Sequence, residues 1–329
     1  MVRPLRALPP LRFERIVLEK VWGGRGLERA PGIELPAGRP IGETWELSDH
    51  GDHRSVVAPG PLAGPLAGTR LADLLERDGE RLLGSARRSR DGAFPLLVKF
   101  LDACEALSVQ VHPHAEAAAR RAGASSKTEC WYVLAARPGA VVYLGPRADV
   151  GAQEFASRAR GPEVLGLLEV HPVEAGTFVH VPAGTVHAVG MGVTLVEVQE
   201  TSDTTYRVWD WGRSGRPLHV DEALDAIRFG VAPPRPTRPV ARQGDGTRRA
   251  ELVDGAEFAV EHVEPAPLHA ADTAGAARIL ISLAGRGVLS CATGSTDLAP
   301  GDVWLLPAST GPYRLEGAGL GVLEVRTKG

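Results

Sequence analysis

Residues 176–187 read GTFVHVPAGTVH, which places a glycine, a proline, a second glycine and a histidine at the spacing G-x5-P-x-G-x2-H. The first glycine admits a tight turn into a strand, and the proline ends that strand. The second glycine turns the chain again, so that the following side chain points inward. Near the C-terminus the pattern returns in degraded form, with Gly301, Pro307, Ser309 and Pro312 in the same order. A repeated strand–turn unit predicts two related barrels. One presents an imidazole at the inward position, a good metal ligand, and the other a proline that can ligate nothing.

Strand signals extend outward from both copies. FPLLVKFL (94–101), LSVQVHP (107–113), CWYVLAA (130–136) and AVVYLG (140–145) precede the first, and VTLVEVQET and TTYRVWDW follow it. Residues 250–329 carry EFAVEHVE, ARILISLAG, GVLSCAT, DVWLLPA, YRLEGAG and GVLEVRT, short runs between turn residues, as in a sandwich or barrel. Helical spacing is confined to LADLLERDGERLLG within 62–92, to the Ala-rich stretch 114–122, to a patch around 152–167 and to 221–230, where Asp221 is an N-cap candidate. The fold class is therefore all-β dominated, with a small helical insertion at about 62–92. The expected organisation is a first domain at 1–235, a linker at 236–249 and a second strand domain at 250–329.

Composition narrows the function classes. The 329 residues hold 37 Lys+Arg against 40 Asp+Glu, a net charge of -3, so no global basic field exists for nucleic acid or an anionic membrane. No apolar run reaches the ~18–20 residues that span a bilayer. The opening MVRPLRALPPLRFERIVLEK is interrupted by prolines and lacks the apolar core of a secretory signal. Cys104, Cys130 and Cys291 are odd in number and widely spaced, with no CxxC. That usage points to a reducing, cytoplasmic setting rather than a disulfide framework. Oligomeric state is not legible.

Four side chains of the first module have metal-ligand chemistry: Gln110 and His112 in LSVQVHP, Glu129 in SKTECW and His187 in AGTVH. Gln110 and His112 are i and i+2, hence on one face of a strand. Two imidazoles, a carboxylate and an amide oxygen suit zinc, and the same donors accept Mn, Fe, Co or Ni. A second group lies beside them. Ser108 is two residues before Gln110, and Lys127 is two before Glu129, so each shares a strand face with a ligand. Lys99 and Glu197 interrupt otherwise apolar strands, and Arg207 follows TSDTTY. Lysines, a serine and an arginine facing one cavity would bind a phosphate or another small anion.

These stretches resemble the type I mannose-6-phosphate isomerases, especially the short bacterial form. The matching segments are KVWGG (20–24), GETWELS (42–48), PLLVKFLDACEALSVQVHP (95–113), KTECWYVL (127–134), VPAGTVHAVG (181–190) and VEVQETSDTTYRVWDWGR (196–213), in the family's order. The resemblance implies two cupin barrels, the second without metal, and a zinc-dependent aldose–ketose isomerase acting on mannose 6-phosphate and fructose 6-phosphate. One Zn2+ per chain would be held by Gln110, His112, Glu129 and His187. Arg207 matches the family's active-site arginine. Glu197 is a carboxylate candidate for the catalytic base, beside a histidine or a metal-bound hydroxide. Lys99, Ser108 and Lys127 match positions lining the sugar-phosphate pocket. The family usually carries an acidic residue after its His-Pro, where this chain has His114. A different metal-dependent cupin enzyme and a non-catalytic sugar-phosphate-binding cupin are the competing readings.

Overall fold

The structure is a computed structural model that describes residues 7–244 and 247–329. The first six residues of the stretch read above for a secretory signal, and 245–246 of the expected linker, lie outside the described residues. Strands dominate, as the turn-rich sequence requires. Ile16–Gly24, Ile41–Leu47, Leu96–Ala103, Val193–Glu200, Glu129–Ala136 and Phe178–Val181 form a six-stranded sheet in that spatial order. Tyr206–Trp209, Val109–Val111, His187–Val189, Val141–Pro146 and Leu168–Pro172 form a five-stranded sheet. The C-terminal region repeats this plan with a six-stranded and a four-stranded sheet.

Alternation along the strands assigns each face to a core. Leu101, Val133, Val179, Leu195, Val142, Leu144 and Val189 fill the space between the first two sheets. Leu280, Leu289, Trp304, Leu306, Leu315 and Val322 do the same in the C-terminal pair. The opposite faces of the two six-stranded sheets share a third core. Val98, Phe100, Val196 and Val198 come from one sheet, and Val260, Ile279, Ile281, Leu323 and Val325 from the other. The expected helix forms over Leu71–Leu83, and its stripe of Leu71, Leu74, Leu75 and Leu82 enters this same core. Its end abuts the C-terminal region: Gly84 has φ +62°, and a Cβ there would collide with the Gly275 carbonyl.

Three expectations need correction or refinement. Asp221 is not an N-cap. The helix runs Val220–Ala226 after His219, without a side-chain cap, and Asp221 sits in its first turn with its carboxylate 2.8 Å from Arg160 Nη2. Within the expected linker, Arg242–Gly244 forms a strand paired with Thr247–Asp254. Finally, the repeat reaches deeper than its glycines and prolines. Gly176 and Gly301 both have φ +85°. Five residues after each, Val181 pairs with Glu129 and Leu306 pairs with Arg278. Likewise, Glu197 lies opposite Trp131, as Glu324 lies opposite Leu280. The C-terminal region therefore places Arg278 where the first module has Glu129, and its guanidinium is hydrogen-bonded to Glu324.

Candidate metal centre

The ligand candidates come from both sheets of the first module. Val109 and Val111 are buried on the helix-covered face of the five-stranded sheet, so Gln110 between them faces the other sheet. Gln110 lies directly opposite His187 on one side and Arg207 on the other. Directly opposed residues of antiparallel strands share a face, so these three side chains form one row. On the six-stranded sheet, Lys99, Glu197 and Trp131 form a facing row, and Glu129 opens its strand one step away. Gly184, with φ +91°, makes the turn that delivers His187, and its N–H is bound to the His112 carbonyl at 2.8 Å.

One donor atom from each of His112, Glu129 and His187 lies within 4.8 Å of the others, and all three residues are buried. His112 Nε2 is 3.2 Å from Glu129 Oε2, and His187 Nε2 is 3.4 Å from Glu129 Oε1. The remaining ring nitrogens are held by backbone: His112 Nδ1 is 3.0 Å from the Thr204 carbonyl and His187 Nδ1 is 2.9 Å from that of Thr185. A proton on each Nδ1 leaves Nε2 as a lone-pair donor aimed at the common point, the arrangement that fixes imidazoles for metal binding. Burial, with Lys127 close by, holds the His112 imidazole down to about 3, and burial lowers His187 as well, so both rings are neutral near pH 7. Burial opposes ionisation of Glu129, yet the Lys127 ammonium beside it holds its carboxyl well below the usual range. Among the described residues, His112 Nε2 is buried without a hydrogen-bond partner and faces Glu129 Oε2, whose one close cation is the Lys127 ammonium at 3.0 Å. Such an orphaned donor atom is costly unless something fills the space beside it. Two neutral imidazoles and one carboxylate fit a divalent cation.

Gln110 completes the row. Its Oε1 accepts a hydrogen bond from Ser108 Oγ at 3.1 Å, and its Nε2 is 3.3 Å from His187 Nε2. A half-turn of the amide would present oxygen to the same point. Lys127 Nζ is 3.0 Å from Glu129 Oε2, and Lys99 Nζ is 3.3 Å from Glu197 Oε1. Both lysines expected at an anion pocket are thus paired with carboxylates beside the centre. Burial, reinforced by Glu129, raises the Glu197 carboxyl. Burial alone would lower Lys99, but Glu197, Glu43 and Glu129 outweigh it and keep the ammonium charged. Arg207 is half-buried, with Nη1 donating to the Pro217 carbonyl at 2.9 Å and Nε without a partner. His114, at the position where an acidic residue is usual, turns away to Glu116, 2.6 Å from its Nδ1.

Three residues not singled out from sequence belong to the same assembly. Trp131 Nε1 donates to Glu129 Oε1 at 3.0 Å and to Glu197 Oε2 at 3.1 Å, bridging the two carboxylates. Trp45 Nε1 donates to Glu43 Oε2 at 2.7 Å, and the Trp45 ring lies 4.9 Å beneath Lys99 Nζ, a cation–π distance. The i, i+2 rule that joined Lys127 to Glu129 could have found Trp131 beside Glu129.

Residues 11–134 match the catalytic domain of phosphomannose isomerase type I. The mannose-6-phosphate isomerase of Streptococcus mutans is 33% identical over 94% of this chain and 95% of its own length. Mannose-6-phosphate isomerase ManA of Bacillus subtilis is 33% identical over 94% of this chain and 96% of its own length. A crystal structure of the mannose 6-phosphate isomerase from Bacillus subtilis superposes with a TM-score of 0.85 at 28% identity, covering 96% of this chain and 99% of that one. Among the described residues, no helix is long and apolar enough to cross a membrane. Near-full-length similarity to two named isomerases, together with the His–Glu–His centre, leads to one statement: this chain belongs to the type I phosphomannose isomerase family.

Proposed function

We propose that this protein interconverts mannose 6-phosphate and fructose 6-phosphate through a cis-enediol, with one divalent cation, zinc in the first instance, held by Gln110, His112, Glu129 and His187. The observation that carries the reading is the buried set of His112, Glu129 and His187 donor atoms, with His112 Nε2 orphaned among the described residues, inside a chain of this family. Each pair of facing sheets would be a cupin barrel, the first at 1–235 with the helical insertion and the second, metal-free, at 250–329. The Arg278 guanidinium at the place of Glu129 supports the absence of metal from the second.

Bound at the centre, a divalent cation supplies Lewis acidity for the sugar's O1 and O2. The chain must move a weakly acidic proton between C1 and C2. Glu197 is suited to hold and return that proton, because its burial beside Glu129 raises its carboxyl. Trp131 Nε1 fixes the orientation of Glu197 and Glu129 together. Arg207 is assigned to stabilising negative charge on the sugar, and Lys99, Ser108 and Lys127 to lining the sugar-phosphate pocket.

The primary test is isomerase activity on mannose 6-phosphate before and after chelation. Activity should vanish on demetallation and return with added Zn2+; undiminished turnover by metal-free protein would refute the reading. Arg207→Ala should retain metal and lose about 100-fold in kcat, the scale for one donor to a developing negative charge. Steady-state kinetics with parallel metal analysis checks this, and a near wild-type kcat removes Arg207 from the reaction. Sugar-phosphate binding with no turnover in either metal state would favour the binding-only cupin.

A further inference from the structure

Thr128 sits between two side chains of the centre, Lys127 and Glu129, and its polar atoms join three separate segments. Its N–H donates to Glu200 Oε2 at 2.7 Å, and its carbonyl accepts the Glu200 N–H at 3.0 Å. Its hydroxyl accepts the Ala183 N–H at 3.4 Å. Ala183 begins the turn to His187, and the next residue, Gly184, donates its N–H to the His112 carbonyl at 2.8 Å. Glu200 ends its strand one residue beyond Gln199, which is the ladder partner of Glu129. A side chain thereby extends the ladder past its last backbone pair, next to a ligand. Beyond Glu200, Gln199 Nε2 donates to the Ser202 carbonyl at 3.0 Å, and the chain then reaches Thr204, whose carbonyl holds His112 Nδ1.

Alternation puts Glu200 on the face away from the ligands. There it borders a cavity of about 300 Å³ lined by Arg90, Leu96, Ser125, Ser126 and Glu257, between the two modules. It lies in the VEVQETSDTTYRVWDWGR stretch without being one of the metal donors, and the mechanism gives it no part.

We infer that Glu200 is a positioning residue: its carboxylate clamps the Thr128 amide and so sets the backbone that aims Glu129 and Lys127 into the centre, and Thr128 passes the same constraint to the turns of His187 and His112. The inference rests on the ligand assignment made above. Outer partners of metal ligands typically govern about 10–100-fold in metal affinity.

The test compares Glu200→Leu, which cannot accept the Thr128 hydrogen bond, with Glu200→Gln, whose amide oxygen can. Zn2+ affinity of the whole chain is measured by chelator competition, and the visible spectrum is recorded with Co2+ bound. Glu200→Leu should bind Zn2+ about 10–100-fold more weakly and shift the Co2+ bands, while Glu200→Gln keeps the wild-type spectrum and affinity. Wild-type affinity and an unchanged Co2+ spectrum in Glu200→Leu overturn the inference. Glu129→Ala separates the two levels: if it too binds Zn2+ normally, the ligand assignment has failed, whereas loss there with retention in Glu200→Leu removes only the positioning role. Should Glu200→Leu not fold, amide exchange in metal-free wild type decides. Thr128 should be protected well beyond Ser126, and equal exchange at the two overturns the clamp.

Discussion

His187→Ala should strip the protein of bound metal and of isomerase turnover while leaving the fold in place. The imidazole supplies one of three donor atoms at a buried point, and no other described histidine or acidic side chain stands close enough to replace it. Lewis-acid stabilisation of a developing oxyanion is worth several kcal/mol, so at ~1.4 kcal/mol per tenfold the loss in kcat should be about 1000-fold or more. The structural cost is smaller. The variant forfeits the Nδ1 contact with the Thr185 carbonyl, about 1 kcal/mol, and opens a small cavity beside Trp131. None of the four apolar cores contains His187. Elemental analysis, circular dichroism and steady-state kinetics on one preparation check the expectation. A fully active variant without metal would sink the centre as drawn.

Lys99→Met should unfold the protein more easily without touching a ligand. Lys99 is the buried counter-ion of buried Glu197 at 3.3 Å and contributes with partly exposed Lys20 to holding buried Glu43 ionised. Removing one partner of a buried pair leaves an uncompensated charge and costs roughly 3–5 kcal/mol. The pH dependence has a definite sign. Burial already raises Glu197, and loss of the ammonium raises it further. A carboxyl whose folded pKa lies above its unfolded value favours folding at low pH and loses that contribution as pH rises through the folded pKa. The deficit of Lys99→Met should therefore be largest at neutral and alkaline pH and shrink on acidification. Urea unfolding at pH 8 and pH 5.5 measures it, with Lys99→Met/Glu197→Leu expected to recover most of the loss. A deficit under about 1 kcal/mol at pH 8 would show that the pair is solvated rather than buried.

What could be read in advance was whatever period two and turn chemistry control. The alternation of LSVQVHP placed Gln110 and His112 together, the two glycines of 176–187 aimed His187, and the polar interruptions at Lys99 and Glu197 marked a face that was not ordinary core. Contacts made across sheets escaped, because no local pattern reports them. Trp131 bridges two carboxylates only because Glu197 is delivered by a strand 66 positions away in sequence. The Asp221 cap failed for a local reason: the helix begins one residue earlier, at Val220, so Asp221 falls inside the first turn. The linker reading failed in part because Arg242–Gly244 finds a hairpin partner in Thr247–Asp254, a pairing that proline content does not reveal.

The core shared by the two six-stranded sheets also bears on protein engineering. Val98, Phe100, Val196 and Val198 on one side share their core with Val260, Ile279, Ile281, Leu323 and Val325 on the other and with the Leu71–Leu83 stripe, so the expected boundary at 236–249 does not separate two independent cores. Cutting there would bare a broad oily surface on each fragment, and such surfaces self-associate. Transplanting the first module into a smaller scaffold would mean carrying the C-terminal sheets along, or repainting that buried face with polar side chains.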